Sequence, residues 1–302
     1  MNTNQNPQDQ QNVPPEPQQV SSWPGLSGPP IAAHAPTNLH RAEAAGICYL
    51  RRSGTGRPLV LLHGIGSDAE TWLPLIAALP ATTDVIAWDA PGYGPSIPLA
   101  TATPTPTGYV DALARLLDAL GIEDRIALAG HSLGCLFAAR FAVTYPARIA
   151  TLALLSPALG YATQPGTPLP PNVQARIDDL RALGPTEFAA KRAPRLVHRP
   201  GDKPAVLAGV RRAMAAVRFP GYAQAVHALG TGTLLADAAT IAAPTLVAIG
   251  AQDIITPPAN ADAVHAALPN PTALHLIDDA GHALPQEAPA RVAELLTEHT
   301  HV

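Results

Sequence analysis

Between residues 58 and 156 short apolar runs alternate with segments of helical periodicity, and few folds can accommodate that alternation. PLVLLHG (58–64), DVIAWD (84–89), RIALAG (125–130) and RIATLALLS (148–156) read as buried strands bounded by turn residues. Trp72, Leu75, Ile76 and Leu79 keep helical spacing between the first two, and 109–120 and 133–145 fill the later gaps with helical patterns. A repeated strand, helix, strand unit predicts a parallel sheet covered by helices on both faces. Two further strands precede it, near 39–45 and at GICYLRR (46–52), the second leading through the turn SGTGRP into residue 58. The alternation stops at Ser156, where SPALGYATQPGTPLPP opens a stretch without a convincing strand until PTLVAIG (244–250). A helix near 259–268, the strand ALHLID (273–278) and a closing helix over 285–298 then follow. The expected organisation is a core formed by 39–156 and 242–302, with 157–241 inserted as a helical cap.

Residues 1–38 lie outside this pattern. They are rich in Gln, Asn and Pro, and the first forty residues contain no Lys or Arg. Without a positive n-region or an apolar h-region this is not expected to act as a Sec-type signal. It buries too little apolar surface to offset its ordering entropy and is expected to be a disordered tail. With 19 Lys and Arg against 23 Asp and Glu, the chain lacks the basic excess that attracts nucleic acid. No run of 18 apolar residues occurs, so no membrane span is expected. Cys48 and Cys135 fit neither a metal-ligand spacing nor a disulfide framework, which points to a reducing, cytoplasmic compartment.

The chemistry centres on GHSLG, residues 130–134. A serine flanked by two glycines, with a strand before it and a helix after it, is the setting of a nucleophile elbow. A serine hydroxyl needs a base to take its proton and a third group to orient that base. His282, in DDAGHALPQEAP directly after the last strand, is the expected base. Asp253, in GAQDIITPP three residues past the penultimate strand, is the expected orienting acid. Asp278 and Asp279 stand too close to His282 in the chain to reach the far side of its ring easily, and Asp237 lies in the insertion. The end of the preceding sheet strand reads Ser156-Pro157-Ala158 and offers no carboxylate. His131 is expected to point elsewhere across the tight turn, and His63 to be structural. Negative charge on an attacked carbonyl must meet preorganised amides, for which Leu133 N–H and Ile65 N–H, the latter between the glycines of HGIGSD, are the candidates.

Taken in order, HGIGSDAETW (63–72), WDAPGYGPS (88–96), GHSLG, GAQD (250–253) and AGHALPQEAP (280–289) resemble the motif set of α/β-hydrolases, most closely the 3-oxoadipate enol-lactone hydrolase and esterase group. The resemblance covers nearly all of the chain except the tail. It implies an α/β fold with a mostly parallel eight-stranded sheet, helices on both faces, an inserted helical cap, and no cofactor or metal. It also implies that Asp89, Gly92 and Gly94 shape a loop near the site.

The expected substrate is a small carboxylic ester or lactone, cleaved through an acyl-enzyme. Residues 172–218 hold ten Lys or Arg against four acids, so the insertion is locally positive and suits a substrate that carries a carboxylate. Two alternatives share the framework. Carbon–carbon bond hydrolases of ring-cleavage pathways use a similar triad, but typically carry Trp where Ala283 follows His282 here. A ligand receptor on a retained hydrolase fold would bind with little or no turnover.

Overall fold

A computed structural model describes residues 38–300, so the expectation for the N-terminal tail falls outside the described residues apart from Asn38. Eight strands form one sheet: β1 (Leu39–Ala44), β2 (Ile47–Arg52), β3 (Thr55–Leu62), β4 (Thr83–Trp88), β5 (Ile126–His131), β6 (Ile149–Leu155), β7 (Thr245–Gly250) and β8 (Pro271–Ile277). Their spatial order is β1-β2-β4-β3-β5-β6-β7-β8. β2 runs antiparallel to both of its neighbours, and every other pairing is parallel. The sheet is therefore mostly parallel, as expected, and α1 (Leu73–Ala78), α2 (Pro106–Ala119), α3 (Leu133–Thr144), α8 (Pro258–Ala267) and the pair α9 (Leu284–Glu287) and α10 (Pro289–Thr300) accompany its strands.

The continuous apolar runs of the central strands serve two cores at once. Side chains alternate across a strand, so Val60, Leu62, Leu128, Leu152 and Leu154 join the helices α2 and α3 in one cluster. Their neighbours Leu59, Leu61, Ala127, Ala129 and Leu155 face the other way, onto α1 and α10. Burial on both faces is why these strands read as unbroken apolar segments rather than as an alternation.

Residues between β6 and β7 form α4 (Pro171–Arg192), α5 (Pro204–Ala215), α6 (Gly221–Thr231) and α7 (Leu234–Ala238). α4 breaks at Gly184, which takes φ 70° immediately before Pro185. Proline cannot donate within a helix and disfavours helical backbone at the residue before it, which glycine accommodates. The same rule divides the closing helix. Ala288, ahead of Pro289, leaves the helical region (φ −131°, ψ 52°), so the single helix expected over 285–298 is two.

Arg52 closes the first crossover. Its guanidinium is 1% exposed and donates to the carbonyls of Ile76 (2.6 Å), Pro80 (2.8 Å) and Thr83 (3.2 Å), around the end of α1 and the start of β4. Burial depresses its pKa, yet a cation at a helix C-terminus meets the carbonyls that the helix leaves unpaired. Arg52→Met keeps much of the volume and removes all three bonds, including the buried one to the Ile76 carbonyl. We expect it to lower stability by about 3 kcal/mol, read as a fall of several degrees in melting temperature by differential scanning fluorimetry. An unchanged melting temperature contradicts this role.

Candidate active site

The carboxyl ends of β5, β7 and β8 bring three side chains together. Ser132 follows β5 and precedes α3 with φ 53° and ψ −113°, a strained conformation for a residue with a side chain. The turn closes because backbone meets backbone on either side of it. A Cβ on Gly130 would overlap the carbonyl of Gly134, and one on Gly134 would overlap the carbonyl oxygen of Leu62 at the end of β3. Both glycines of GHSLG are therefore required by contact.

His282 lies in the loop after β8, with Nε2 3.0 Å from Ser132 Oγ and Nδ1 2.8 Å from Asp253 Oδ2. All three residues are buried, at 5% exposure or less. Asp253 follows β7, and its Oδ1 accepts the N–H groups of Ile255 (2.8 Å) and Thr256 (2.9 Å). Burial opposes its charge, but the hydrogen bond and charge of His282 and the two backbone donors outweigh it and hold the carboxyl below the ordinary aspartate range. The carboxylate therefore fixes the tautomer: Nδ1–H donates to Asp253, which leaves Nε2 to accept from the serine hydroxyl.

The competing acids stand elsewhere. Asp278 and Asp279 are exposed, and Asp279 faces His198, Arg199 and Lys203. Asp237 pairs with Arg140 at 2.8 Å, and burial, only partly countered by that arginine, pushes its carboxyl up to about 6. Ser156 follows β6, and its carbonyl oxygen stands 3.1 Å from the Thr256 hydroxyl.

Ile65 and Leu133 flank the serine. Among the described residues, neither backbone N–H donates to a protein acceptor, and Leu133 opens α3, whose N-terminus carries partial positive charge. The loop that presents Ile65 is braced from below. His63 Nδ1–H donates to the Gly64 carbonyl (2.8 Å) and its Nε2 accepts from Ala90 N–H (3.0 Å), while burial holds the ring neutral. Asp89 Oδ1 accepts Ala69 N–H at 2.8 Å, and Gly94 leaves room for that carboxylate.

Three residues at the site carry no sequence-local signature strong enough to find them. Thr256 places its hydroxyl 2.9 Å from Asp253 Oδ2 and 3.1 Å from His282 Nδ1. Its spacing of three from Asp253, in a turn closed on that carboxylate, was the available clue. Glu287 accepts the N–H of Gly281 (3.0 Å) and of His198 (2.9 Å) and the Lys203 ammonium (3.1 Å), and so ties the His282 loop to the insertion. His131, expected to point elsewhere, lies with its ring 5.1 Å from that of His282 and donates Nε2–H to the His282 carbonyl at 2.7 Å. Burial and the neighbouring imidazole push its pKa down to about 3, so it is a neutral strut.

Two spaces meet at the serine. A cavity of about 370 Å³ is lined by Ser132, Leu133 and His282 together with residues of α4, α5 and α6, and a cleft of about 30 Å³ lies on the side of Gly64, Ser67, Trp72 and His131. The larger has the size of a small-molecule site, and the smaller is a narrow cleft beside it. Among the described residues, no group of three or more His, Cys, Asp or Glu is placed to hold a metal ion, and no helix is long and apolar enough to cross a membrane.

Residues 57–289 match the family model described as the alpha/beta hydrolase fold. A pimeloyl-[acyl-carrier protein] methyl ester esterase of Legionella pneumophila (strain Corby) is 40% identical over 101 residues, covering 33% of this chain and 38% of that protein. The chain spans about a third of the length of the curated relatives that it matches first. Among solved structures, a thermophilic esterase from Thermogutta terrifontis superposes with a TM-score of 0.75 at 28% identity, over 84% of this chain and 93% of that one. An enol-lactonase from Burkholderia xenovorans LB400 shares the fold with a TM-score of 0.76 at 24% identity, over 87% and 100% of the two chains. Both in its motifs and in its sheet, the chain belongs to the α/β-hydrolase fold family.

Proposed function

We propose that the protein is a serine hydrolase that cleaves a carboxylic ester or lactone through an acyl-enzyme, with Ser132 as nucleophile, His282 as general base and Asp253 as its orienting acid. The observation that carries this reading is the unbroken line from Ser132 Oγ through His282 to Asp253, with hydrogen bonds of 3.0 and 2.8 Å. Ser132 Oγ attacks the carbonyl carbon as His282 Nε2 takes its proton, and Asp253 stabilises the imidazolium. The Ile65 and Leu133 amides receive the oxyanion. Collapse expels the alcohol, which leaves with the proton from His282. A water then gives its proton to the same nitrogen, attacks the acyl carbon and releases the acid and the free serine. No step calls on a metal or cofactor.

Residues 157–241 act in this reading as the cap. Arg212 on α5 grips Asp68 with bonds of 2.8 and 2.9 Å beside the Ile65 loop, and Leu196 accepts Ala283 N–H at 2.8 Å beside His282. Esterase activity in the Legionella and Thermogutta proteins supports an ester substrate here. The acid-bearing substrate inferred from the charge of the insertion is supported by the arginines on the cavity wall. Two buried, unpaired thiols suit a reducing, cytoplasmic setting.

Ser132→Ala should reduce turnover of p-nitrophenyl butyrate by about 10⁴-fold or more and abolish labelling by a fluorophosphonate. Equal turnover and equal absence of labelling in the two proteins would instead support a receptor on a hydrolase fold. Thr256 acts as a positioning residue through Asp253 and His282. We expect Thr256→Val to lower kcat by about three- to tenfold, with KM changed less than about twofold, and Thr256→Ser to restore it. A change confined to KM contradicts that role.

A further inference from the structure

Three arginines line the 370 Å³ cavity. Arg176 and Arg192 come from α4 and Arg195 from the turn after it, and all three share the lining of this space with Ser132 and His282. Charge compensation is uneven. Asp179 takes Arg192 at 3.1 Å and also faces Lys191, and Arg192 lies over the Phe188 ring at 5.1 Å. Among the described residues no carboxylate comes within the 4.0 Å ion-pair range of Arg176 or Arg195. Burial is the largest cause lowering the Arg192 pKa, and the charges of Arg176 and Arg195 press the same way against Tyr222 and Asp179. Like charges that line one cavity are mutually repulsive, and a bound anion relieves them. The same cavity carries apolar lining from Leu159, Met214, Leu229 and Ile254, alongside the polar Tyr161, Tyr222, Thr256 and Asn260. The cleft on the other side of the serine is far narrower, about 30 Å³ against 370 Å³.

We propose that Arg176 and Arg195, with Arg192 alongside, form a subsite for an ionised carboxylate on the acyl half of the substrate. This rests on the ester-hydrolase reading of Ser132 and deepens it. The substrate class is a half-ester of an aliphatic dicarboxylic acid with a small alcohol. The apolar lining holds the intervening carbons, the guanidiniums take the terminal carboxylate by charge-assisted hydrogen bonds, and the small alcohol departs on the narrow side.

The test compares monomethyl adipate with its uncharged counterpart methyl hexanoate. In the wild type, kcat/KM should favour the half-ester by about ten- to hundredfold, and in the double variant Arg176→Gln/Arg195→Gln that ratio should collapse towards one. Calorimetric titration of both esters into Ser132→Ala and into Ser132→Ala/Arg176→Gln/Arg195→Gln reads the subsite without turnover. The half-ester should bind the former at least tenfold more tightly than methyl hexanoate, and should lose that margin in the latter. Equal binding of the two esters to Ser132→Ala, or a margin that survives loss of both arginines, overturns the subsite whether or not the protein hydrolyses esters. Selective binding of the half-ester without turnover by the wild type would leave the subsite standing and overturn the hydrolase reading.

Discussion

Every part of the proposed chemistry depends on the imidazole of His282 being held from both sides. Asp253 grips Nδ1 and thereby frees Nε2 for the serine, and the carboxylate is itself fixed by two backbone N–H groups and the Thr256 hydroxyl. These groups lie on loops after three different strands, so their alignment is a property of the sheet. β5, β6 and β7 run parallel in adjacent positions with β8 beside them, which delivers the loops to one edge. A sheet of this type binds ligands in the crevice at its carboxyl end for the same reason.

The loops are also tied to the helices of the insertion. Asp68, next to the Ile65 loop, is held by Arg212, and Glu287, next to His282, is held by Lys203 and the His198 amide. The Glu287 side chain is fully buried, so its bonds act where water does not screen them. The two sides of the serine are thus braced by α5 and by the residues just before it. Shifts of the insertion are coupled in this way to the amide at Ile65 and to the ring at position 282.

Much of the fold was legible because both faces of the central strands are buried, which leaves unbroken apolar runs such as 58–64 and 148–156. The elbow was legible because steric demand writes glycine at 130 and 134, on either side of the serine, where nothing larger fits. The break in the closing helix was missed although Pro289 announces it, since the helical pattern was read on across that proline. The supports around the site were hidden for a different reason. Glu287 meets residues 84 and 89 positions away, and His131 meets a carbonyl 151 positions away. Such contacts exist only once the sheet has assembled, and no local pattern encodes them. The arginines of the cavity wall lie between these cases. Their charge excess was visible in residues 172–218, but only folding shows that Arg176, Arg192 and Arg195 line one cavity with the serine.

The central claim is that Ser132 becomes acylated, and rapid-quench kinetics with p-nitrophenyl acetate test it most directly. Acylation of Ser132 should give a burst of about one equivalent of p-nitrophenol per active site, with acetyl mass found after acid quench on the peptide that contains Ser132. Linear release from the first turnover, with no acetyl group on that peptide in a protein that is turning over, would contradict it.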